Sequence, residues 1–394
     1  MVQIPDSFEF DYLDGDIVYG RASVDRLSAF LGEHGLERAM VVTGRNVGTN
    51  HEVMDPVTRG LGDRLVQVFD ETTAEKSAET VFDGIEAMEE CNADVLVGVG
   101  GGSSLDITRQ ISAYAADGRP LSAYREAARE NELRGPSVGD SPAPVVVIPT
   151  TLSGADISNS GSVAIFDADE SPTGETLRLA GSVDPTGMFY DPTLFETTPP
   201  SVLAGSAMNG FDNAIETIYA RNGRPITDAT AVHSLRLFSE SLPNLGDSPE
   251  MMDRAVIAGI LAQFERRISV IHSFGHGVSR HHPVHQGLVH AVMAPHALRY
   301  IFNHVDGGRE LLATGFGLEE DLSADAQATA VVDAVIEIRD SLGLPTRLRE
   351  LEGVPEANIP MIAELTLTDS KMSQGPDGLD PTVEEFEALL RDAW

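Results

Sequence analysis

The sequence predicts an α/β N-terminal unit built on a parallel sheet, followed by an all-α unit, and three observations carry that reading. Short apolar runs alternate with helical spacing through the first half, and the strand signal fades after Tyr190-Asp191-Pro192. From Pro200 onward the pattern is almost wholly helical. A boundary near residue 197 follows, with an α/β unit over 1–196 and a helical unit over 197–394.

Residues 8–12 and 17–19 read as short strands ending at Gly20, and 24–35 carry helical spacing. Strands over 38–43 and 65–69 follow, then an amphipathic helix over 74–91, a buried strand over 95–99 and a helix over 105–116. After a proline-rich loop, 145–148 and 163–166 read as strands. Apolar strands alternating with helices indicate a parallel sheet covered on both faces. In the second half, helices are expected over 201–221, 229–241, 251–271, 290–302, 324–342, 359–365 and 383–392.

Acidic residues outnumber basic ones 62 to 27, a formal charge of −35, and the acids are spread along the chain rather than gathered in a tail. Only Lys76 and Lys371 are lysines. Such a surface repels nucleic acid and anionic membranes, so neither is an expected partner. At molar salt the screening length is ~3 Å, so this composition suits a salt-rich cytosol. No apolar run reaches the ~18 residues of a membrane span. The N-terminal Met1–Pro5 stretch lacks the basic and apolar segments of a signal peptide. The single cysteine, Cys91, makes no internal disulfide, which fits a reducing, cytoplasmic location.

The segment over 95–109 runs V-L-V-G-V-G-G-G-S-S-L-D-I-T-R: a buried strand enters Gly100-Gly101-Gly102-Ser103, and a helix begins around Ser104. Glycines let backbone approach a pyrophosphate, and a helix N-terminus receives its charge. The spacing is neither the GxGxxG fingerprint nor a P-loop. A phosphate seat and a plain strand-to-helix turn both stand on the residues alone.

This string resembles the GGGS-x-x-D-x-A-K motif of iron-containing alcohol dehydrogenases, with Arg109 in place of the lysine. Pro149-Thr150-Thr151, Tyr190-Asp191-Pro192, Ala214-Ile215-Glu216, the His272/His276 pair and Pro295 match further landmarks of that superfamily in order. The resemblance covers roughly 10–310 and implies the dehydroquinate synthase-like fold. Leu152–Ser158, Asn209 and the stretch His290-Ala291-Val292-Met293-Ala294-Pro295-His296-Ala297-Leu298 lean toward its maleylacetate reductase branch. It implies an NAD(P)-dependent oxidoreductase moving hydride between the nicotinamide and a small alcohol, carbonyl compound or oxoacid, in a homodimer. Gly101, Gly102, Ser103, Asp106, Thr150, Thr151 and Ser153 would hold the cofactor. Gly44 replaces an aspartate of NAD-preferring relatives, removing repulsion of a 2′-phosphate, and Arg45 would pair with one, which favours NADP.

The family's metal is held by an Asp and a His four apart on one helix and by two later histidines. The matching positions here are Asn209, Asn213, His272 and Gln286. Neutral amides are poor ligands for Fe²⁺ or Zn²⁺, so no tightly bound catalytic metal is expected. His276 is the expected proton donor, against the plainer reading of a satisfied histidine packed in a helix. His272, Asn209, Asn213, Gln286 and His290 would line the substrate pocket. Two alternatives stay open. His272, His276 and His285 belong to a run of six histidines in nineteen residues and could form a rearranged metal site of a conventional alcohol dehydrogenase. A chain with an intact glycine turn and a broken metal site could also be a catalytically decayed cofactor-binding protein.

Overall fold

The computed structural model describes residues 7–12, 15–130, 132, 134–139, 141–172, 176–221, 223–264, 266–319 and 321–394. The N-terminal residues 1–5 lie outside the described residues. Two compact units emerge: one spans Pro5–Thr151 and Ala155–Thr198, the other Pro199–Trp394 together with Leu152–Gly154.

The α/β unit holds β1 (Ser7–Tyr12), β2 (Gly15–Gly20), α1 (Leu27–Glu33), β3 (Ala39–Val42), α2 (Arg45–Gly48), α3 (His51–Leu61), β4 (Leu65–Phe69), α4 (Ala78–Cys91), β5 (Val95–Gly100), α5 (Gly102–Asp117), α6 (Leu121–Arg129), β6 (Val145–Pro149), β7 (Ser160–Phe166), β8 (Leu177–Ser182), β9 (Gly187–Tyr190) and α7 (Pro192–Phe195). Its seven-stranded sheet has the order β1-β2-β9-β6-β5-β3-β4. Only the β1–β2 pair is antiparallel within it, and β7 and β8 form a separate hairpin. Val41, Val97, Val99 and Ile148 share a core with Leu27 and Phe30 of α1 and Val57 of α3. On the other face α5 lies so close to β5 that a Cβ at Gly98 would come within 2.6 Å of Thr108 Oγ1. The expected parallel sheet with helical cover on both faces is what forms.

Two details differ from expectation here. Helix α5 starts at Gly102 rather than near Ser104, with Gly101 as its N-cap, so part of the glycine run forms the helix's first turn. Helices α2, α3, α6 and α7 and strands β8 and β9 went unread: Pro56 inside α3 argues against a helix, and α2, α7 and β9 are only four residues long.

The helical unit contains α8 (Pro200–Tyr219), α9 (Pro225–Ser241), α10 (Pro249–Leu261), α11 (Val270–Ser279), α12 (Gln286–His304), α13 (Arg309–Phe316), α14 (Ala324–Ser341), α15 (Ile359–Leu367) and α16 (Val383–Ala393). Helix α8 is its axis, buried at almost every position from Leu203 to Tyr219. The helix expected over 251–271 is two helices. α10 ends at Leu261 and α11 begins at Val270, because Ser269 takes a non-helical backbone (φ −148°, ψ −119°). Side chains of α8 take up the freed backbone: Thr217 Oγ1 accepts from Arg267 N–H, and Glu216 accepts from the first amides of α11. Helix α12 starts at Gln286, earlier than the expected 290, since His285 caps it. No helix among the described residues is long and apolar enough to cross a membrane.

Candidate active site

In the α/β unit, the strand order places β3 and β5 side by side at the point where successive connections leave in opposite directions. Ligands of open parallel sheets bind at that point, beyond the carboxyl ends of the strands. The polypeptide there is shaped for a close approach. Gly100 has φ +131°, a conformation that a side chain would strain, and Gly101 leads into the 16-residue helix α5. Thr150 N–H donates to Gly100 O at 3.0 Å, placing Thr150 and Thr151 next to the turn. Gly44, at the end of β3, caps α2 with Arg45 exposed beyond it. Asp106 is engaged by Lys76 Nζ at 2.8 Å and by Arg109 Nη1 at 3.6 Å. Fully buried Arg109 also donates from Nη2 to Asp156 O at 2.7 Å.

The helical unit assembles its polar residues on one face of α8. Residues 206, 209, 213 and 216 recur at helical spacing, and the first three meet the strap Leu152–Gly154. Leu152 N–H donates to Ser206 Oγ at 3.2 Å, and Asn209 Nδ2 donates to Ser153 O. Ser153, expected among the cofactor residues, therefore packs with the helical unit. Glycine is required at two contacts of this strap. A Cβ at Gly210 would fall 2.4 Å from Leu152 O, and one at Gly154 (φ +75°) would fall 2.6 Å from Asn213 Nδ2.

One turn further along, Glu216 organises the start of α11. Its Oε1 accepts from Ile271 N–H at 2.6 Å and His272 N–H at 3.2 Å, and Tyr219 Oη donates to it at 2.7 Å. Its Oε2 pairs with His272 Nδ1. Burial pushes Glu216 up, but the His272 ring and these hydrogen bonds outweigh it and hold the carboxyl below its ordinary value. For His272 burial dominates, lowering the imidazole despite Glu216. Behind it lies His290, fully buried with its ring centroid 4.4 Å from that of His272. His290 Nδ1 stands 3.4 Å from Asp212 Oδ2. Burial drives both toward neutrality, raising Asp212 and lowering His290.

His276, one turn along α11, has its own carboxylate. Nδ1 lies 3.2 Å from Asp369 Oδ2, which also receives Arg280 Nη2 at 2.7 Å. Asp369 is buried, which alone would raise its pKa, yet the hydrogen bonds from His276 and Lys371 N–H and the Arg280 charge hold it below the usual carboxylate value. Asp369 escaped the sequence reading, because nothing in the primary pattern links a residue 93 positions downstream to a helix histidine, and Arg280 matters only once Asp369 is in place. Glu216 was legible in principle, three residues after Asn213 on the same helical face.

The donor set does not fit a tightly held divalent cation. Asn209 and Asn213 supply neutral amides, Gln286 Nε2 is bonded to Ser279 Oγ at 3.2 Å, and only His272 is a ligand of the usual type. Among the described residues, no group of three or more His, Cys, Asp or Glu side chains is placed to hold a metal. Nor do His272, His276 and His285 form such a group: His285 Nδ1 accepts from Gly287 N–H at 3.2 Å, and His276 Nδ1 faces Asp369. Buried amide atoms remain without partners, namely Asn209 Oδ1 and both ends of Asn213.

A glycine turn at the switch point of a parallel sheet, joined to an all-helical unit carrying carboxylate-held histidines, is the layout of a two-unit dehydrogenase-type protein. The chain belongs to the iron-containing alcohol dehydrogenase family: the Iron-containing alcohol dehydrogenase model matches residues 15–175, and that of the Fe-containing alcohol dehydrogenase family, C-terminal, matches 203–394. It is 25% identical to the NAD-dependent methanol dehydrogenase of Bacillus methanolicus over 388 residues, 95% of this chain and 97% of that one. It is 24% identical to the maleylacetate reductase of Pseudomonas aeruginosa over 98% of each chain. A solved 1,3-propanediol oxidoreductase superposes with a TM-score of 0.84 at 22% identity, over the full length of both chains. These relatives are oxidoreductases, and identities of 25% and 24% do not separate the alcohol dehydrogenase branch from the maleylacetate reductase branch.

Proposed function

We propose that the chain is an NAD(P)-dependent oxidoreductase acting on a small alcohol or carbonyl compound without a catalytic metal. The observation that carries the metal-free part is the pair Asn209 and Asn213, neutral amides at the positions that the resemblance aligns with the family's metal ligands. Gly101, Gly102, Ser103, Thr150 and Thr151 would seat the cofactor pyrophosphate against the first turn of α5. When bound, the nicotinamide supplies or accepts the hydride. Gly44 and Arg45 favour the 2′-phosphate of NADP. His276 would hold the transferred proton at Nε2, since Asp369 fixes the ring through Nδ1. Asn213 would offer its amide N–H to the substrate oxygen, while His272, Asn209 and Gln286 complete the lining.

The test combines NADH and NADPH binding with turnover of a panel of small carbonyl compounds in molar KCl, before and after exhaustive chelation. Turnover that survives chelation supports the proposal. Activity abolished by chelator and restored by zinc or iron would return the chain to the metal-dependent enzymes. Cofactor binding without turnover of any substrate would point to a decayed scaffold.

A further inference from the structure

An arginine stands beside the replaced donors. Arg266 lies in the non-helical segment between α10 and α11, and its Nη1 donates to Gly154 O. The point a Gly154 Cβ would occupy is 2.6 Å from Asn213 Nδ2 and 3.3 Å from Arg266 Nη1, so guanidinium and amide flank one spot on the strap. The positive charge of Arg266 also reaches His272. A second observation points to a ligand there: Asn213 is fully buried, and neither end of its amide has a partner. The helix break that the sequence pattern concealed is what brings this cation to the site.

We infer that Arg266 is the electrophile of the reaction, stabilising the negative charge that develops on the substrate oxygen. The inference rests on the oxidoreductase reading. Hydride from the reduced nicotinamide adds to the carbonyl carbon, and the C=O π pair moves onto oxygen. Arg266 and Asn213 N–H groups meet that oxygen as it becomes an alkoxide, and the proton held by His276 then neutralises it. The carbonyl is reduced to the alcohol, and the nicotinamide is oxidised by the same two electrons. A guanidinium is always charged and offers its N–H groups in a planar fork, so it needs no bound ion to polarise an oxygen. Preorganised donors of this kind act most strongly where water is scarce, as around buried Asn213.

The experiment uses the full-length protein with hydroxyacetone, a neutral ketone, and pyruvate, its carboxylate counterpart. Arg266→Gln and Arg266→Ala are expected to lower kcat about 10²–10³-fold for both substrates with little change in KM. Melting temperature and NADPH dissociation constant should stay at wild-type values. Millimolar guanidinium should restore part of the Arg266→Ala rate while urea does not, a rescue that a purely structural role for Arg266 would not give. Wild-type kcat in Arg266→Gln overturns the inference, and so does a defect confined to the KM of pyruvate, which would make Arg266 a carboxylate anchor. Equal rescue by urea and guanidinium also overturns it. If the wild-type protein turns over neither these nor any other carbonyl compound, the oxidoreductase reading itself has failed.

Discussion

Removing Glu216 tests the organisation of the site most directly. Four donors converge on this fully buried carboxylate: the amides of Ile271 and His272, the Tyr219 hydroxyl and His272 Nδ1. Glu216→Ala removes the main acceptor of all four, leaving Ile271 N–H only a 3.4 Å contact to Tyr219 Oη. Each buried donor left alone costs about 1–3 kcal/mol, and breaking a buried pair about 3–5 kcal/mol in total, the energies not being additive. The expected loss is therefore about 3–5 kcal/mol for Glu216→Ala. Glu216→Gln keeps one acceptor oxygen but turns an NH₂ toward a donor, for about 1–3 kcal/mol. The folded carboxyl titrates below its ordinary value, so its contribution is fully present above that value and fades as pH falls through the lower, folded one. Glu216→Gln should accordingly be less acid-sensitive than wild type. Denaturant unfolding in molar KCl at neutral and acid pH measures both effects. A Glu216→Ala loss under about 1 kcal/mol would mean that the carboxylate does not hold α11, and the account of His272 would fall with it.

Other expectations concern separate parts of the molecule. His276→Ala should reduce turnover about 10²–10⁴-fold without abolishing cofactor binding, and a rate within a few-fold of wild type would remove it as proton donor. His285→Ala should leave turnover intact and cost about 0.5–2 kcal/mol of stability, the worth of a helix cap; an activity loss matching that of His272→Ala would revive the rearranged metal site. Gly101→Val should abolish cofactor binding in titrations while the fold survives, because the first added carbon meets only Thr151, at 3.4 Å. Gly44→Asp should reverse a preference for NADPH over NADH, although the new Cβ lies a tight 3.0 Å from Thr72 O; an unchanged preference would remove Gly44 from the adenosine ribose. With a formal charge of −35, the melting temperature should climb between dilute buffer and molar KCl, and a flat response would undo the high-salt reading.

What the sequence disclosed follows the range of the interactions involved. The sheet and the long helices were legible because burial writes a local period into the chain, as in the all-buried β5 and the amphipathic α4. The donor positions Asn209 and Asn213 were legible because four residues make one helical turn. Boundaries set by side chains from elsewhere were not. The gap between α10 and α11 is held open by Thr217 and Glu216 of α8. Asp369 becomes a partner of His276 only once α15 ends beside α11.

The electrostatics of the helical unit separate two kinds of buried polar group. Burial pushes Asp212 up and His290 down, each toward its neutral form, at a separation of 3.4 Å. Glu216 and Asp369 stay charged because donors surround them, and each fixes one histidine through Nδ1. Their negative charge is thus engaged in orienting the histidines. Asn209, Asn213 and Gln286 add dipoles but no charge. A developing alkoxide would then find its compensating charge in Arg266, which donates to the strap beside Asn213, and this makes Arg266 the residue on which the proposed metal-free mechanism stands or falls.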